Sequence, residues 1–579
     1  MKKVRLLMRK VRINMKNKKR KRLKGLAAAL LVAALITGCG NAQGSNTQEA
    51  EEVAASTQTA SDSDPSVQTS ASVSAESQVE VDKEFTARDL DIGYEESTAV
   101  LIALKGESAE VSGDGAKAEG NIVTISDEGT YVLSGTLMDG QIVVDAEDTD
   151  KVQLVLDGVT LSSADNAPIY IKNADKIFIT LAEGSENTLT DSAERIQSDD
   201  NNVDAVIFSK ADLTVNGSGV LNITGNYKHG IVSKDDLIIT GGTLNITALK
   251  DALNGKDCVK IKDGTFNLTV TDGNGIQSKN GDDATKGYVY ICGGEINVLN
   301  GQEGIEGTAL VIDGGMIDIR VQDDGLNAAS GNSSAETEKS GGFGRGGEMG
   351  NDTNCYIAIN GGTITIDAGG DGIDSNGSIY VTGGTAHISG PEDDGNAGLD
   401  YNGSAQITGG TFVVTGSSGM AQGFSDSSTQ YSLLNNLTSA ASAGTEAVLT
   451  DADGNVIISV TPQKQYQSVL ISTPDLLKDG TYTLTCGEQT AEITLSGIAT
   501  SNGQLSGFGG GGEKMNWEGK GPDGSQMPQG SERPDGSQVP QGSERPDDGQ
   551  IPQGSERTDD GQMPPDGQTP PGGEIGPAL

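Results

Sequence analysis

The chain has 579 residues, with 82 acidic against 40 basic side chains and a formal net charge of −42. That balance excludes nucleic acid as a partner, because binding a polyphosphate requires a basic surface. With 34% hydrophobic residues and 82 glycines, the composition points to a glycine-punctuated, strand-rich chain.

The stretch from Met1 to Lys24 holds thirteen Lys or Arg and no acid, and an apolar run, Gly25 to Thr37, follows. The run is short for a membrane span and reads as a signal peptide, residues 1–38. It ends in Ile36-Thr37-Gly38-Cys39, which looks like a bacterial lipobox. Cys39 directly after the apolar run favours lipidation of its thiol over an ordinary signal peptide. The expected location is the extracytoplasmic face of a cell membrane, reached through the lipid anchor alone. Cleavage before Cys39 leaves 27 basic against 82 acidic residues, near −55. Such a surface repels other polyanions unless multivalent cations intervene.

Residues 39–84 are rich in Ser, Thr, Gln, Ala and Glu with few large apolar residues, and predict a disordered spacer. Residues 85–424 alternate short Val, Ile, Leu and Thr runs with Gly, Asn and Asp, without a sustained helical period. The phrases SGVLNIT, GGTLNIT, DGTFNLT, GGEINVL, GGMIDIR, GGTITID, GGTAHIS and GGTFVVT place equivalent glycines at Gly219, Gly242, Gly264, Gly294, Gly315, Gly362, Gly384 and Gly410. Most of these glycines fall close to one common interval, and two intervals are longer. Polar insertions around Asn280 to Lys286 and from Ala328 to Asn354 account for the two long ones. The period of about 22 predicts a parallel β-helix of three short strands per coil, stacked about 4.8 Å apart. Residues 85 to about 191 should form the irregular first coils and cap, and residues 425–500 a small C-terminal β module. Residues 501–579, with a repeat marked by Met527, Val539, Ile551 and Met563, predict a disordered Pro/Gly-rich tail. The cysteines Cys258, Cys292, Cys355 and Cys486 lack zinc-type spacing and read as small buried hydrophobes.

Successive coils repeat one polar phrase: His229-Gly-Ile-Val232, Asp251-Ala-Leu-Asn254, Asn274-Gly-Ile-Gln277, Glu303-Gly-Ile-Glu306, Asp324-Gly-Leu-Asn327, Asp371-Gly-Ile-Asp374 and Ala397-Gly-Leu-Asp400. The central Ile or Leu should point to the core and the flanking residues outward. Stacked carboxylates repel and raise one another's pKa unless a cation lies between them. Acid and amide oxygens at fixed pitch are a calcium ligand set. The candidate ligands are Glu303, Glu306, Asp324, Asn327, Asp371, Asp374, Asp394 and Asp400, with Asp393 adjacent. Zinc is disfavoured because the only histidines, His229 and His387, fall outside the cluster. Against this stands the bland reading, since Asp, Asn and Gly are common bend residues.

A lysine column, Lys210, Lys234, Lys256 and Lys279, offers either a solubilising cover for the stack or a basic strip for sugar carboxylates. Lys256 and Lys279 are its candidate ligand-binding members. Tyr290 and Tyr380 alternate outward on their strands and are candidate sugar-stacking residues.

The order of lipobox, polar spacer, NIVTISDEGTYVLSGTL, GQIVVDAEDTDKVQLVLDGVTLSSADNAPIYIKNADKIFITLAEGSENTLTD and GGT…DGI coils resembles the carbohydrate-binding β-helix surface proteins of clostridia and relatives. The resemblance covers about residues 115 to 500. It implies a right-handed parallel β-helix with bound calcium that attaches to cellulose and to acidic sugars such as polygalacturonate. The expected function is a non-catalytic, lipid-anchored, cell-surface polysaccharide-binding protein. The alternatives are a pectate-lyase-like enzyme, which needs a base such as Arg320 or Arg345 beside the metal, and a structural spacer or adhesin.

Overall fold

The computed structural model describes residues 79–503 except 198 and 331–350. The proposed signal peptide, Cys39, most of the spacer, the long insertion with Arg345, and the repeat tail lie outside the described residues. All regular secondary structure among the described residues is strand. No helix among them is long and apolar enough to cross a membrane.

Two long sheets, of 25 and 12 strands, and a four-stranded sheet organise the described residues. One coil runs through Leu253–Gly255, Cys258–Ile261 and Thr265–Val270, and the next through Ile276–Ser278, Tyr288–Ile291 and Glu295–Asn300. Each strand pairs in parallel with its counterpart in the following coil. This is the stacked, β-helix-like architecture expected from the repeat. Leu244 pairs with Phe266, its counterpart one glycine period later. Ile317 pairs with Ile364, so the stack resumes its register across the long insertion.

The alternation of the GGT phrases fills the interior. Leu221, Leu244, Phe266, Ile296, Ile317, Ile364, Ala386 and Phe412 form one inward column, each at most 1% exposed. Each large member contributes about 1.5–3 kcal/mol by burial. The bend before each of these strands needs a glycine. At Gly362, φ is +86° and a Cβ would stand 2.9 Å from the Gly315 carbonyl oxygen.

Both ends depart from parallel stacking. Val100–Gly106 pairs antiparallel with Ala109–Ser112 at the start. At the other end Thr411–Gly416 meets Tyr466–Ser472 antiparallel, and the four-stranded sheet closes over a separate core with Leu433, Leu449, Tyr466 and Leu484. The C-terminal module is therefore joined to the last coil through the large sheet rather than standing apart from it.

Residues 79–84, expected in the spacer, instead lie against the outer face of the 25-stranded sheet together with residues 85–91. The Tyr356 hydroxyl donates to the Val79 carbonyl at 2.9 Å, Lys83 pairs with Asp313 at 2.9 Å, and Phe85 packs on Tyr290. Further along, Asp89 is fully buried beside Lys176 at 2.7 Å and accepts from the Thr214 hydroxyl. Burial pushes the Asp89 carboxyl up, but hydrogen bonds from Lys176, Thr86 and Thr214 outweigh it and hold the carboxyl at about 2. The segment is held by specific ionic and aromatic contacts that its polar composition did not announce.

Candidate cation and carbohydrate site

The polar phrases occupy the short strands of the 12-stranded sheet. In the second position of the phrase, Asn254, Gln277, Glu306, Asn327, Asp374 and Asp400 are paired in one unbroken register. The first position is joined by backbone bonds: Gly275 N–H donates to the Glu303 carbonyl, Gly304 to Asp324, and Gly325 to Asp371. Ile305, Leu326, Ile373 and Leu399 between them are at most 1% exposed. The glycine in each phrase has a packing cause. A Cβ on Gly372 would come within 2.4 Å of Ile388 Cγ2 and 2.5 Å of the Gly398 carbonyl oxygen.

The first-position carboxylates tie neighbouring coils together. Asp251 Oδ1 accepts the Asn274 N–H at 3.0 Å, Asp324 Oδ1 accepts the Asp371 N–H at 2.7 Å, and Asp371 Oδ1 accepts the Ala397 N–H. In each case one oxygen caps a bend in the next coil. This bend-capping role and a ligand role coexist, because each carboxylate has a second oxygen.

Asp324, Asp371 and Asp374 each bring one carboxylate oxygen within 4.8 Å of the others, all three half-buried. Burial first, then the charges of Asp371 and Asp323, pushes the Asp324 carboxyl up to about 7. Burial likewise pushes Asp371 up to about 7, against the Ala397 N–H and with the charges of Asp400, Asp323 and Asp393. Asn327 stands in register with Asp374 and is 8% exposed; its amide donates to Glu303 at 3.2 Å, and its Oδ1 has no hydrogen-bond partner. Three carboxylates and a buried amide oxygen are hard oxygen donors of the kind that suits calcium.

The remaining predicted ligands fall differently. Glu306 accepts from Asn274 Nδ2 and Gln277 Nε2, both at 2.6 Å, and contacts the Lys279 ammonium. Burial and the Glu306 charge push the neighbouring Glu303 carboxyl up, with Lys279 opposing them. Asp400 is raised by burial and accepts from Tyr401 N–H and Gln422. Asp394 is exposed, beside Asp393, whose carboxylate caps the Gly395 N–H.

The basic strip and the tyrosines need correction. Lys279 is engaged by Glu306, Lys256 pairs with Asp282 at 2.6 Å, Lys234 lies 3.9 Å from Asp204, and Lys210 donates to Asn201. The ammonium groups thus serve the protein's own polar side chains, as a chain with twice as many acids as bases allows. Tyr290 does alternate outward, but the 79–91 segment covers it to 5% exposure and its hydroxyl donates to Asp313. Tyr380 is half-buried, edge-on to Tyr356 at 6.5 Å. Neither tyrosine presents a free platform.

Sequence reasoning missed two groupings. His229 Nδ1 lies 3.2 Å from Asp251 Oδ2, closing the upstream end of the rows. Asp212, Asp235 and Asp236 also bring oxygens within 4.8 Å of one another, at a bend of the other sheet. Burial and a hydrogen bond with Asp257 push Asp235 up. The recurring Lys-x-Asp at 210–212 and 234–236 was the available signal.

Comparison with known proteins bears on this architecture. Residues 119–395 match a family model described as carbohydrate-binding domain-containing protein. A carbohydrate-binding domain-containing protein of Acetivibrio thermocellus is 42% identical over 137 residues, which are 23% of this chain and 48% of that protein. The matched segment therefore spans about half the length of this relative. A solved structure of a polysaccharide lyase-like protein from C. thermocellum, a gadolinium derivative, is 33% identical, covers 39% of this chain and 93% of that one, and superposes with a TM-score of 0.38. Over residues 119–395, this chain is thus similar to the carbohydrate-binding domain-containing proteins.

Proposed function

We propose that the protein is a non-catalytic cell-surface polysaccharide-binding protein, anchored through a lipid on Cys39, whose right-handed parallel β-helix, one glycine period per coil, holds calcium. In this reading Asp324, Asp371, Asp374 and the Asn327 amide oxygen hold the ion. The ion's open positions take the carboxylate of an acidic plant cell-wall sugar such as a galacturonate. The observation that carries it is the convergence of three half-buried carboxylates on one spot, beside a buried amide oxygen that lacks a partner.

The electrostatics support a shared cation. An acidic protein and an acidic polymer repel unless a multivalent cation joins them. A divalent ion also offsets the burial and the neighbouring carboxylate charges that push Asp324 and Asp371 up.

Binding is favoured over lyase chemistry because the candidate bases among the described residues are already engaged by acids of their own. Arg320 extends from a strand of the other sheet, where it pairs with Asp318 at 3.0 Å, and Lys279 is held by Glu306. Retention on immobilised polygalacturonate, with calcium and with EDTA, tests the binding reading. An assay for unsaturated uronide release at alkaline pH with calcium tests the lyase alternative.

A further inference from the structure

The acid rows do not account for the outer face of the 25-stranded sheet that lies beneath residues 79–91. That segment is a strand of none of the sheets, and side chains of the face hold it in place. It runs backwards along the stack. Val79 meets Tyr356, Phe85 meets Tyr290, and Asp89 meets Thr214 and Lys176, which come progressively earlier in the coil order.

The face engages the segment as a receptor engages a peptide. Tyr356 donates to the Val79 carbonyl at 2.9 Å, Lys260 to the Glu84 carbonyl, and Thr240 to the Asp89 carbonyl at 2.9 Å. Asn216 Nδ2 donates to the carbonyls of Asp89 and Asp91, at 3.2 and 3.3 Å. Main-chain carbonyls are present in any peptide, so these donors fix the path of the segment and leave its sequence unread.

Selectivity comes from three side chains of the segment. Asp82 pairs with Lys260 at 3.0 Å and Asp89 with Lys176 at 2.7 Å. Phe85 packs on Tyr290, with the Lys260 and Lys262 ammonium groups 5.2 and 5.4 Å from its ring centroid. Lys260 is 3% exposed and Lys176 is 9% exposed, and the carboxylates that pair with both come from the segment. A lysine buried this deeply requires a partner charge. The face is therefore matched to an acidic peptide that carries a phenylalanine between two aspartates.

The link from this segment to the first strand is held far less tightly. Ile92, Gly93 and residues 95–98 are exposed, and Gly93 and Thr98 bond only to Asp91 and Glu95 nearby. An exposed hinge allows the segment to leave its own face and meet the identical face of another molecule with every contact kept. Exchange of an identical element in this way is a low-cost route to association.

We propose that this face is a peptide-docking groove whose partner is the 79–91 segment of a second copy of the chain, so that neighbouring molecules link by exchanging segments. The exchange uses neither the acid rows nor a sugar, and it stands or falls independently of the cation site.

Two variants of the full chain test it. Lys176→Met with Lys260→Met damages the groove and leaves the segment intact but loose, whereas Phe85→Ser with Asp89→Lys damages the segment and leaves the groove intact but empty. Each alone should sediment as a monomer, and an equimolar mixture should form a 1:1 complex that weakens as salt rises. Excess synthetic peptide of residues 79–91 should dissolve that complex. Labelled peptide should bind the segment variant at least tenfold more tightly than wild type, whose groove is already filled, and Asp89→Asn in the peptide should cost about tenfold. Both variants should keep a cooperative thermal transition, because the segment lies outside the stacked core; if the double groove variant unfolds, Lys260→Met alone takes its place. A mixture that sediments as separate monomers, or a complex that the peptide cannot dissolve, overturns the proposal.

Discussion

The backbone N–H of Asp371 donates to Oδ1 of Asp324 at 2.7 Å, across one coil of the stack. One side chain thereby fixes the bend of the following coil while one carboxylate oxygen lies within 4.8 Å of those of Asp371 and Asp374. The same pair carries the raised pKa values that make the cluster responsive to cations and to protons.

Neutralising one member of the cluster should weaken calcium binding with little effect on the fold. Asp374→Asn keeps the shape and removes a charged ligand. Calorimetric titration should show calcium affinity lower by about tenfold or more. An unchanged affinity would remove Asp374 from the ligand set.

The pH dependence follows from raised carboxyls. Asp324 and Asp371 have folded values of about 7, above the value of about 4 for an unfolded Asp. Between those limits the folded chain binds more protons than the unfolded one, so in chelator its stability falls as pH rises from about 4 to 7. Calcium favours the ionised form and should raise the thermal midpoint more at pH 8 than at pH 5. Thermal scans with EDTA and with calcium at both pH values measure it. A calcium shift that is equal at the two pH values would contradict it.

Lys279 acts in this account as a built-in counter-ion to the Glu303 and Glu306 row. Lys279→Met leaves the buried Glu306 carboxylate without its cation and should cost about 3 kcal/mol in chelator. Calcium should recover part of that loss by entering the vacated position, with one more ion per chain in equilibrium dialysis. A stoichiometry equal to wild type would show that the row cannot accept a metal.

Gly372→Ala tests the packing origin of the Asp-Gly-Ile phrase. The added methyl meets Ile388 and the Gly398 carbonyl at 2.4 and 2.5 Å, so denaturant unfolding should show a loss of about 1–3 kcal/mol. Thr247→Ala on the open face should change stability by less than about 0.5 kcal/mol.

The coil period was legible because the GGT phrases repeat and because inward Ile and Leu alternate with outward Thr and Asn. The rows from Asn254 to Asp400 were legible for the same reason, and their register agrees residue by residue. What the sequence could not show was which outward residues are covered or already paired. Tyr290 alternates outward as expected, yet the segment that buries it begins at Val79, many coils earlier in the chain. Lys279 belongs to the lysine column by position, but its long side chain reaches Glu306 in the next coil. Partners of this kind depend on side-chain reach and on distant segments, neither of which leaves a local pattern.

The most direct test of the central claim is affinity electrophoresis of wild type and Asp371→Asn through gels containing polygalacturonate, with calcium or with EDTA. Wild type should be strongly retarded in calcium alone, with the retardation lost in chelator and much reduced in the variant. Retardation indifferent to calcium, chelator and substitution alike would contradict it.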